Sequence, residues 1–295
     1  MNGLDQLAGY LSGLPLLFVL AALGAVIGVL TGLFGVGGGF LITPLLIVAV
    51  GIDESLAVGS SLSFIIGTAA AGLRRHARLK NVEPRSMLIL SGGGMCGAVL
   101  GVLLHVYLRS ALDGAAFDFR VLIRGLYLVL LAVTVWLVYR GPGRHVSGKS
   151  LLQRLPGWPR VDLPAAGLRD LSLLGLCLVG VGVGVLNGLL GIGGGVLFMP
   201  VLLVAVGLSP HQAVGTSLGV VLFSSITGAV QHGMLGNVSL WIAMALLVGS
   251  TLGVQVGVWL CDMFPGTRIR RYFATIVLLA AVLVALDLAV KVVRG

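Results

Sequence analysis

Charge is what this sequence has least of. Only 10% of its 295 residues are charged, against 58% hydrophobic, and the mean hydropathy is +1.10. A soluble domain carries roughly a quarter charged residues, so too few are present to cover a water-exposed surface. Runs of about 20 apolar residues, each long enough to cross a bilayer as a helix, recur along the chain. An all-α polytopic membrane protein follows. Acids are the scarcest charges: Asp5, Asp53, Glu54, Glu83, Asp113, Asp118, Asp162, Asp170, Asp262 and Asp287 are all there are. Only Asp287 falls well inside an apolar segment. Sites for metal or organic cations, and carboxylate proton relays, normally need buried acids. Their near absence favours an anionic solute over a cationic one.

Other absences narrow the function further. The three cysteines, Cys96, Cys177 and Cys261, are far apart and form no CxxC, so neither a zinc site nor a disulfide framework is signalled. There is no HExxH, no GxSxG and no Lys-Ser/Thr after a glycine cluster. The dinucleotide fingerprint fails as well, since Gly35-Val36-Gly37 is followed at the sixth position by Phe40. No enzyme activity, no cofactor and no metal is expected. The opening stretch MNGLDQLAGY has no basic n-region and carries Asp5, so the first apolar segment is expected to be a retained helix, not a cleaved signal.

What charge there is leans basic, with a net +9. Arg74, Arg75, Arg78, Lys80 and Arg85 share one loop, and Arg140, Arg144, Lys149, Arg154, Arg160 and Arg169 cluster mid-chain. Basic loops beside apolar segments are what the positive-inside rule produces. Nucleic acid is therefore not an expected partner; the lipid bilayer is.

Glycine, by contrast, is abundant, at 46 residues. Shifted by 156 residues, the sequence lies on itself: 21 of the 35 positions from Gly28 to Leu62 match Gly184 to Leu218. His76/His232, Asn81/Asn237 and Gly97/Gly253 also pair. Such a duplicated half is common in secondary transporters. The expected organisation is an N-terminal membrane repeat at 1–140, a basic Pro- and Gly-containing cytoplasmic linker at 141–169, and a C-terminal membrane repeat at 170–295. Five apolar segments fall in each half, at 14–34, 39–51, 55–74, 86–108 and 120–139, then 171–190, 195–207, 211–230, 239–260 and 271–293. The second of each set is short for an upright span. Five crossings per half make the repeats inverted and four make them parallel. Five is favoured, because the N-terminus lacks Lys and Arg and so suits the outside. The fold expected is thus a pair of inverted repeats with broken or short second helices.

Two glycine patterns recur. Gly24, Gly28 and Gly32, and likewise Gly180, Gly184 and Gly188, stand four apart, making a flat stripe for close helix packing. The triplets Gly37, Gly38, Gly39 and Gly193, Gly194, Gly195 serve no single helix face. Three glycines disfavour helix by roughly 3 kcal/mol relative to alanine, so the chain is expected to break there. Such a break is tolerated at membrane depth only when buried in protein or lining a cavity. The helices resuming at Phe40 and Val196 would present bare N–H groups, the positive dipole end, to an anion. The motifs AVGSSL and AVGTSL add Ser60, Ser61, Thr216 and Ser217, read either as hydroxyl donors to an oxyanion or as helix caps. Thr31 and Asn187 occupy matching positions before the breaks and are read as binding or gating residues. His76 and His232, with Gln231 beside the latter, are candidates for proton coupling or gating, the alternative being histidines near the membrane interface.

The doubled motifs GVLTGLFGVGGGFLITPLL with AVGSSL, and GVLNGLLGIGGGVLFMPVLL with AVGTSL, resemble the sulfite exporter TauE/SafE family, whose members are membrane permeases built from two related halves. The resemblance covers nearly the whole chain outside the linker. It implies transport of small sulfur-containing anions, such as sulfite or an organosulfonate, in the cytoplasmic (inner) membrane of a bacterium. The expected function is therefore a secondary permease working by alternating access, with a small anion as its substrate. A passive anion channel and a non-transporting membrane scaffold are the alternatives, and homo-oligomerisation is left open.

Overall fold

A computed structural model describes residues 14–48, 51–112, 119–140, 151–154, 159–191 and 194–294. The first half holds α1 (Leu14–Phe34), α2 (Gly39–Val48), α3 (Glu54–Arg78), α4 (Pro84–Ala111) and α5 (Phe119–Arg140). The second holds α7 (Leu173–Leu190), α8 (Gly195–Val201), α9 (Pro210–Met234), α10 (Leu240–Met263) and α11 (Gly266–Arg294). A π-helical turn, Leu202–Val206, continues α8. Between the halves lie a one-turn helix, α6 (Leu151–Arg154), and the strands β1 (Arg160–Leu163) and β2 (Leu168–Ser172). Among the described residues, seven helices are long and apolar enough to cross a membrane: α1, α3, α4, α5, α7, α9 and α10. The protein is a polytopic all-α membrane protein.

The helix starts are written locally. Asp53 accepts from the Ser55 N–H at 3.0 Å to begin α3, and Ser172 accepts from the Gly175 N–H at 3.1 Å to begin α7. Pro84 and Pro210 occupy the first turn of α4 and α9, where a missing N–H costs nothing. Two caps use the opposite half. The Glu83 N–H donates to Thr216 Oγ1 and the Ser239 N–H to Ser60 Oγ, both at 2.9 Å. Glu83 and Ser239 are equivalent under the 156-residue shift, as are Ser60 and Thr216.

The glycine stripes zip the halves together crosswise. A Cβ added at Gly28 would strike the Ser250 backbone, and one at Gly32 the Val254 and Gly257 backbone. On the facing helix, Gly249, Gly253 and Gly257 lie against the Ala21, Ala25 and Val29 backbone. The residue numbers climb together, so α1 and α10 run parallel. The equivalent seam joins α4 and α7: Gly93, Gly97 and Gly101 lie against Cys177, Val181 and Val185, while Gly180, Gly184 and Gly188 lie against Leu90, Gly94 and Ala98. Without an aqueous hydrophobic effect between helices, such backbone-to-backbone contact is what drives association. The opposite edge of α10 carries Leu240, Met244, Val248, Leu252 and Val256 exposed, a stripe fit for lipid. Between the seams, α3 and α9 cross in opposite directions, with Leu62 against Gly228 and Leu218 against Gly72.

One expectation needs correction. Acids outside the apolar segments are buried too: Glu54 is 4% exposed and Glu83 is fully buried, because tertiary packing covers the helix starts on which they sit. Glu54 is neutralised by Arg124 of α5, at 3.5 Å. The linker, moreover, is partly built. β1 and β2 pair antiparallel, bury Leu163 and Leu171, and run past residue 169 directly into α7. Arg85 Nη1 donates to the Asp162 carbonyl at 3.0 Å and Gln212 Nε2 to the Ala165 carbonyl at 2.8 Å. The hairpin is thereby tied to the starts of α4 and α9.

Candidate functional site

Both glycine clusters interrupt their helices. The interruption begins earlier than the triplets, at Gly35 and Gly191, whose φ values are +73° and +64°. Each N–H closes the preceding helix, Gly35 onto the Thr31 carbonyl and Gly191 onto that of Asn187, both at 2.8 Å. Left-handed backbone of this kind is cheap only for glycine. In the first break Gly37 and Gly38 are left-handed too, at +73° and +83°, and in the second Gly194 is at +65°. α2 then starts at Gly39 and α8 at Gly195. The Gly38 carbonyl accepts from Leu41 and Ile42, and that of Gly194 from Leu197 and Phe198. Gly193 lies outside the described residues.

The two breaks touch. A Cβ on Gly195 would sit 2.5 Å from Val36 Cα, so α8 starts against the loop that ends α1. Their surroundings mix polar groups with apolar plugs. The space beside Gly37 is filled by Val221 and Ile65, and that beside Gly38 by Ile27, Thr31 Oγ1 and Phe64. Residues 31–40 are buried throughout.

The hydroxyl residues divide into two roles. Ser217 Oγ lies 2.8 Å from the Gly35 carbonyl across the interface and 2.8 Å from the Val214 carbonyl of its own helix. At the second break Thr43 Oγ1 contacts both the Gly191 carbonyl, at 2.8 Å, and Ser61 Oγ, at 3.0 Å. Thr68 Oγ1 lies 3.2 Å from the Gly37 carbonyl. Its equivalent, Ser224, receives Asn187 Nδ2 at 3.0 Å. Ser60 and Thr216 instead receive the helix-start N–H groups described above. Thr31 Oγ1 donates back along its own helix to the Ile27 carbonyl at 2.9 Å. Among the described residues, Asn187 Oδ1, Ser225 Oγ and His232 Nδ1 of the second half are buried without a hydrogen-bond partner.

Both repeat histidines lie within helices, buried, over the free carbonyl ends of the broken ones. His76 Nε2 meets the Gly32 carbonyl at 2.9 Å and His232 Nε2 the Gly188 carbonyl at 3.4 Å. Asn81 Nδ2 lies 3.4 Å from His76 Nδ1. Gln231 bonds its own helix, at the Thr227 carbonyl. The repeat comparison did not single out His105 of α4, because Cys261 stands at its equivalent position. Its Nδ1 meets the Leu189 carbonyl at 2.9 Å, its Nε2 meets Ser55 Oγ at 3.0 Å, and its ring centroid is 5.3 Å from that of His232. Thr43 likewise has no like residue in the repeat, since Met199 stands at its equivalent position. Thr68 and Ser224 do align as hydroxyls under the shift, a signal that was available.

Beyond Thr43 a cavity of about 20 Å³ opens among Thr43, Pro44, Ile47, Ile123, Arg124, Tyr127 and Val284, room for about one water. Tyr127 OH donates to the Phe40 carbonyl on its inner side. Among the described residues no cluster of three metal-ligating side chains occurs.

The family model described as sulfite exporter TauE/SafE matches residues 20–284. A probable membrane transporter protein of Xylella fastidiosa is 30% identical over 275 residues, covering 91% of this chain and 94% of that one. The probable membrane transporter protein YunE of Bacillus subtilis is 28% identical over 249 residues, 81% of this chain and 86% of its own. A sulfite exporter TauE/SafE family protein of Arabidopsis thaliana is 40% identical over 77 residues, a quarter of this chain and 17% of its own. No solved structure matches. With paired glycine-broken helices spanning a matched model of nearly its whole length, this chain belongs to the sulfite exporter TauE/SafE family of membrane transporters.

Proposed function

We propose that the protein is a secondary transporter, not an enzyme, that carries a small sulfur-containing anion such as sulfite or an organosulfonate across the cytoplasmic membrane by alternating access. The observation that carries the reading is the contact of the two breaks, Gly195 against Val36. α8 starts at that contact and α2 three residues beyond it, at Gly39, and the first N–H groups of a helix lack intrahelical partners and bear its positive end. Gly37, Gly38, Gly39, Gly194 and Gly195 would let an oxyanion reach those amides. Ser61, Ser217, Thr43 and Asn187 would orient it.

In the packed state Ile27, Phe64, Ile65 and Val221 occupy the space an anion would need, so binding requires them to withdraw. Residues 1–140 and 170–295 would be inverted repeats rocking about the break contact. The opposed directions of the equivalent helices α3 and α9 support that arrangement.

Purified protein in liposomes tests the reading. Sulfite or methanesulfonate flux should saturate, and an imposed ion gradient should drive accumulation. Non-saturating flux without accumulation would indicate a channel. No flux, with no thermal shift across sulfite, thiosulfate, sulfonates and carboxylates, would indicate a scaffold.

A further inference from the structure

The two breaks are related by duplication, yet their histidines are not equivalent, and the difference lies in one nitrogen. A backbone carbonyl can only accept, so the ring nitrogen that meets it must carry hydrogen. His76 and His232 therefore hold their proton on Nε2 in the neutral state, leaving Nδ1 as a lone pair. At His76 that lone pair faces Asn81 Nδ2, a donor, at 3.4 Å. At His232 it is buried and has no partner.

Both ring nitrogens of His105 already have partners, unlike those of His232. Its Nδ1–H donates to the Leu189 carbonyl, so Nε2 accepts from Ser55 Oγ–H. Arg109 Nη1 donates to that same Ser55 oxygen, and Arg109 pairs with Asp53 at 3.1 Å. The relay runs in one direction, from arginine through serine and imidazole to a carbonyl. Among the described residues, His105 on α4 is the titratable group facing His232. Arg109 and Asp53 stand behind it, and the Glu54–Arg124 pair lies next to Ser55 along α3. From α7 come only carbonyls, and from α3 the Gly59 backbone meets the His232 side chain. Among the described residues no carboxylate bonds or pairs with His232.

Resting on the transport reading above, we infer that His232 is the proton site of the carrier, taking up a proton at Nδ1 together with an anion at the second break. The added proton makes an imidazolium whose Nε2–H stays on the Gly188 carbonyl and whose new Nδ1–H is free to donate to an anion oxygen. A buried imidazolium needs a counter-charge. The negative end of α7, at the Gly188 and Leu189 carbonyls, supplies part of one, and the anion supplies the rest. Neither charge is well placed without the other, which is what links them. The proton comes from water on the side where the anion enters and leaves with the anion on the other. The first break, with Asn81 on its histidine, carries no such function.

The test is a proton-to-anion ratio, read with an internal pH dye in proteoliposomes. Methanesulfonate is the probe, because it carries no proton of its own, with sulfite as a second anion. Wild type should co-transport protons, and His232→Gln should lower the ratio at least about threefold, whatever its turnover. On unmodified protein, calorimetric titrations in two buffers of different ionisation heat should show about one proton taken up per anion bound.

Anion flux with no proton movement in wild type, zero proton uptake on binding, or an unchanged ratio in His232→Gln would each overturn the assignment while leaving anion transport standing. Absence of any anion flux or binding in wild type would overturn both.

Discussion

The two halves share their packing but not their chemistry. Under the 156-residue shift the glycine seams coincide, helix by helix and contact by contact. The caps at Ser60 and Thr216 coincide as well. The groups around the breaks and at the outer ends do not. The first half has Asp53–Arg109 and Glu54–Arg124 at the start of α3; at the positions of Asp53, Glu54, Arg109 and Arg124 the second half has Ser209, Pro210, Pro265 and Ala280. The second half instead has the linker hairpin bound to Gln212 at the start of α9. Duplication preserves what close backbone contact forbids changing. It frees whatever is decided by single side chains.

The largest effect should fall on the seams, and equally on both. Gly184→Leu and Gly28→Leu each drive a side chain into a neighbouring backbone, at Gly94 and Ser250. Overpacking against side chains already costs 1–3 kcal/mol, and a helix backbone cannot step aside. Each variant should lose folded, monodisperse protein on size-exclusion chromatography. Normal yield and melting temperature for either would break the claimed equivalence.

Next comes an effect confined to the first half. Arg124→Met removes the guanidinium paired with buried Glu54 and should cost about 3–5 kcal/mol, read from thermal or denaturant unfolding. Adding Glu54→Gln to it should restore most of the loss. A double variant no more stable than the single one would show that the pair is not what Arg124 is for.

At the breaks, Ser217→Ala orphans one contact to the Gly35 carbonyl, and Thr43→Val disturbs contacts to both Gly191 and Ser61. Costs of about 1–3 kcal/mol are expected, larger for Thr43→Val, with anion affinity reduced in both. Equal, negligible losses would mean that the hydroxyls do not hold the breaks. The smallest effect belongs to the linker. Gln212→Ala removes two exposed contacts, to the Ala165 carbonyl and from Ser209 Oγ, and should change stability by less than about 1 kcal/mol. A loss matching that of Arg124→Met would make the hairpin a principal tie between halves.

Much of the fold was legible because apolar length and glycine spacing act locally. Segments expected at 14–34, 86–108 and 239–260 became Leu14–Phe34, Pro84–Ala111 and Leu240–Met263. The third helices ran further than their apolar stretches, to Arg78 and Met234, because their polar ends carry His76 and His232 inward. The partners of the glycine stripes were not legible. Spacing gives a flat face, but only the tertiary arrangement says that Gly249, Gly253 and Gly257 face α1.

The site was legible only where the repeat repeats. Gly35 and Gly191 sit in the doubled motifs, but a single glycine that turns left-handed ahead of a triplet leaves no signature in spacing. Thr43 and His105 act through contacts 148 and 84 residues away in sequence, and neither has a like residue in the other half. Glu54 and Glu83 look like loop acids in the sequence and become buried only through packing.

The most direct measurement is a structure with a bromine-substituted alkyl sulfonate bound, its bromine located by anomalous scattering. The account predicts a sulfonate group between the two breaks, within hydrogen-bonding distance of the amides that begin α2 and α8, with Ile65 and Val221 moved aside. A sulfonate lodged instead in the cavity by Arg124 and Tyr127, with Gly195 still packed on Val36, would contradict it.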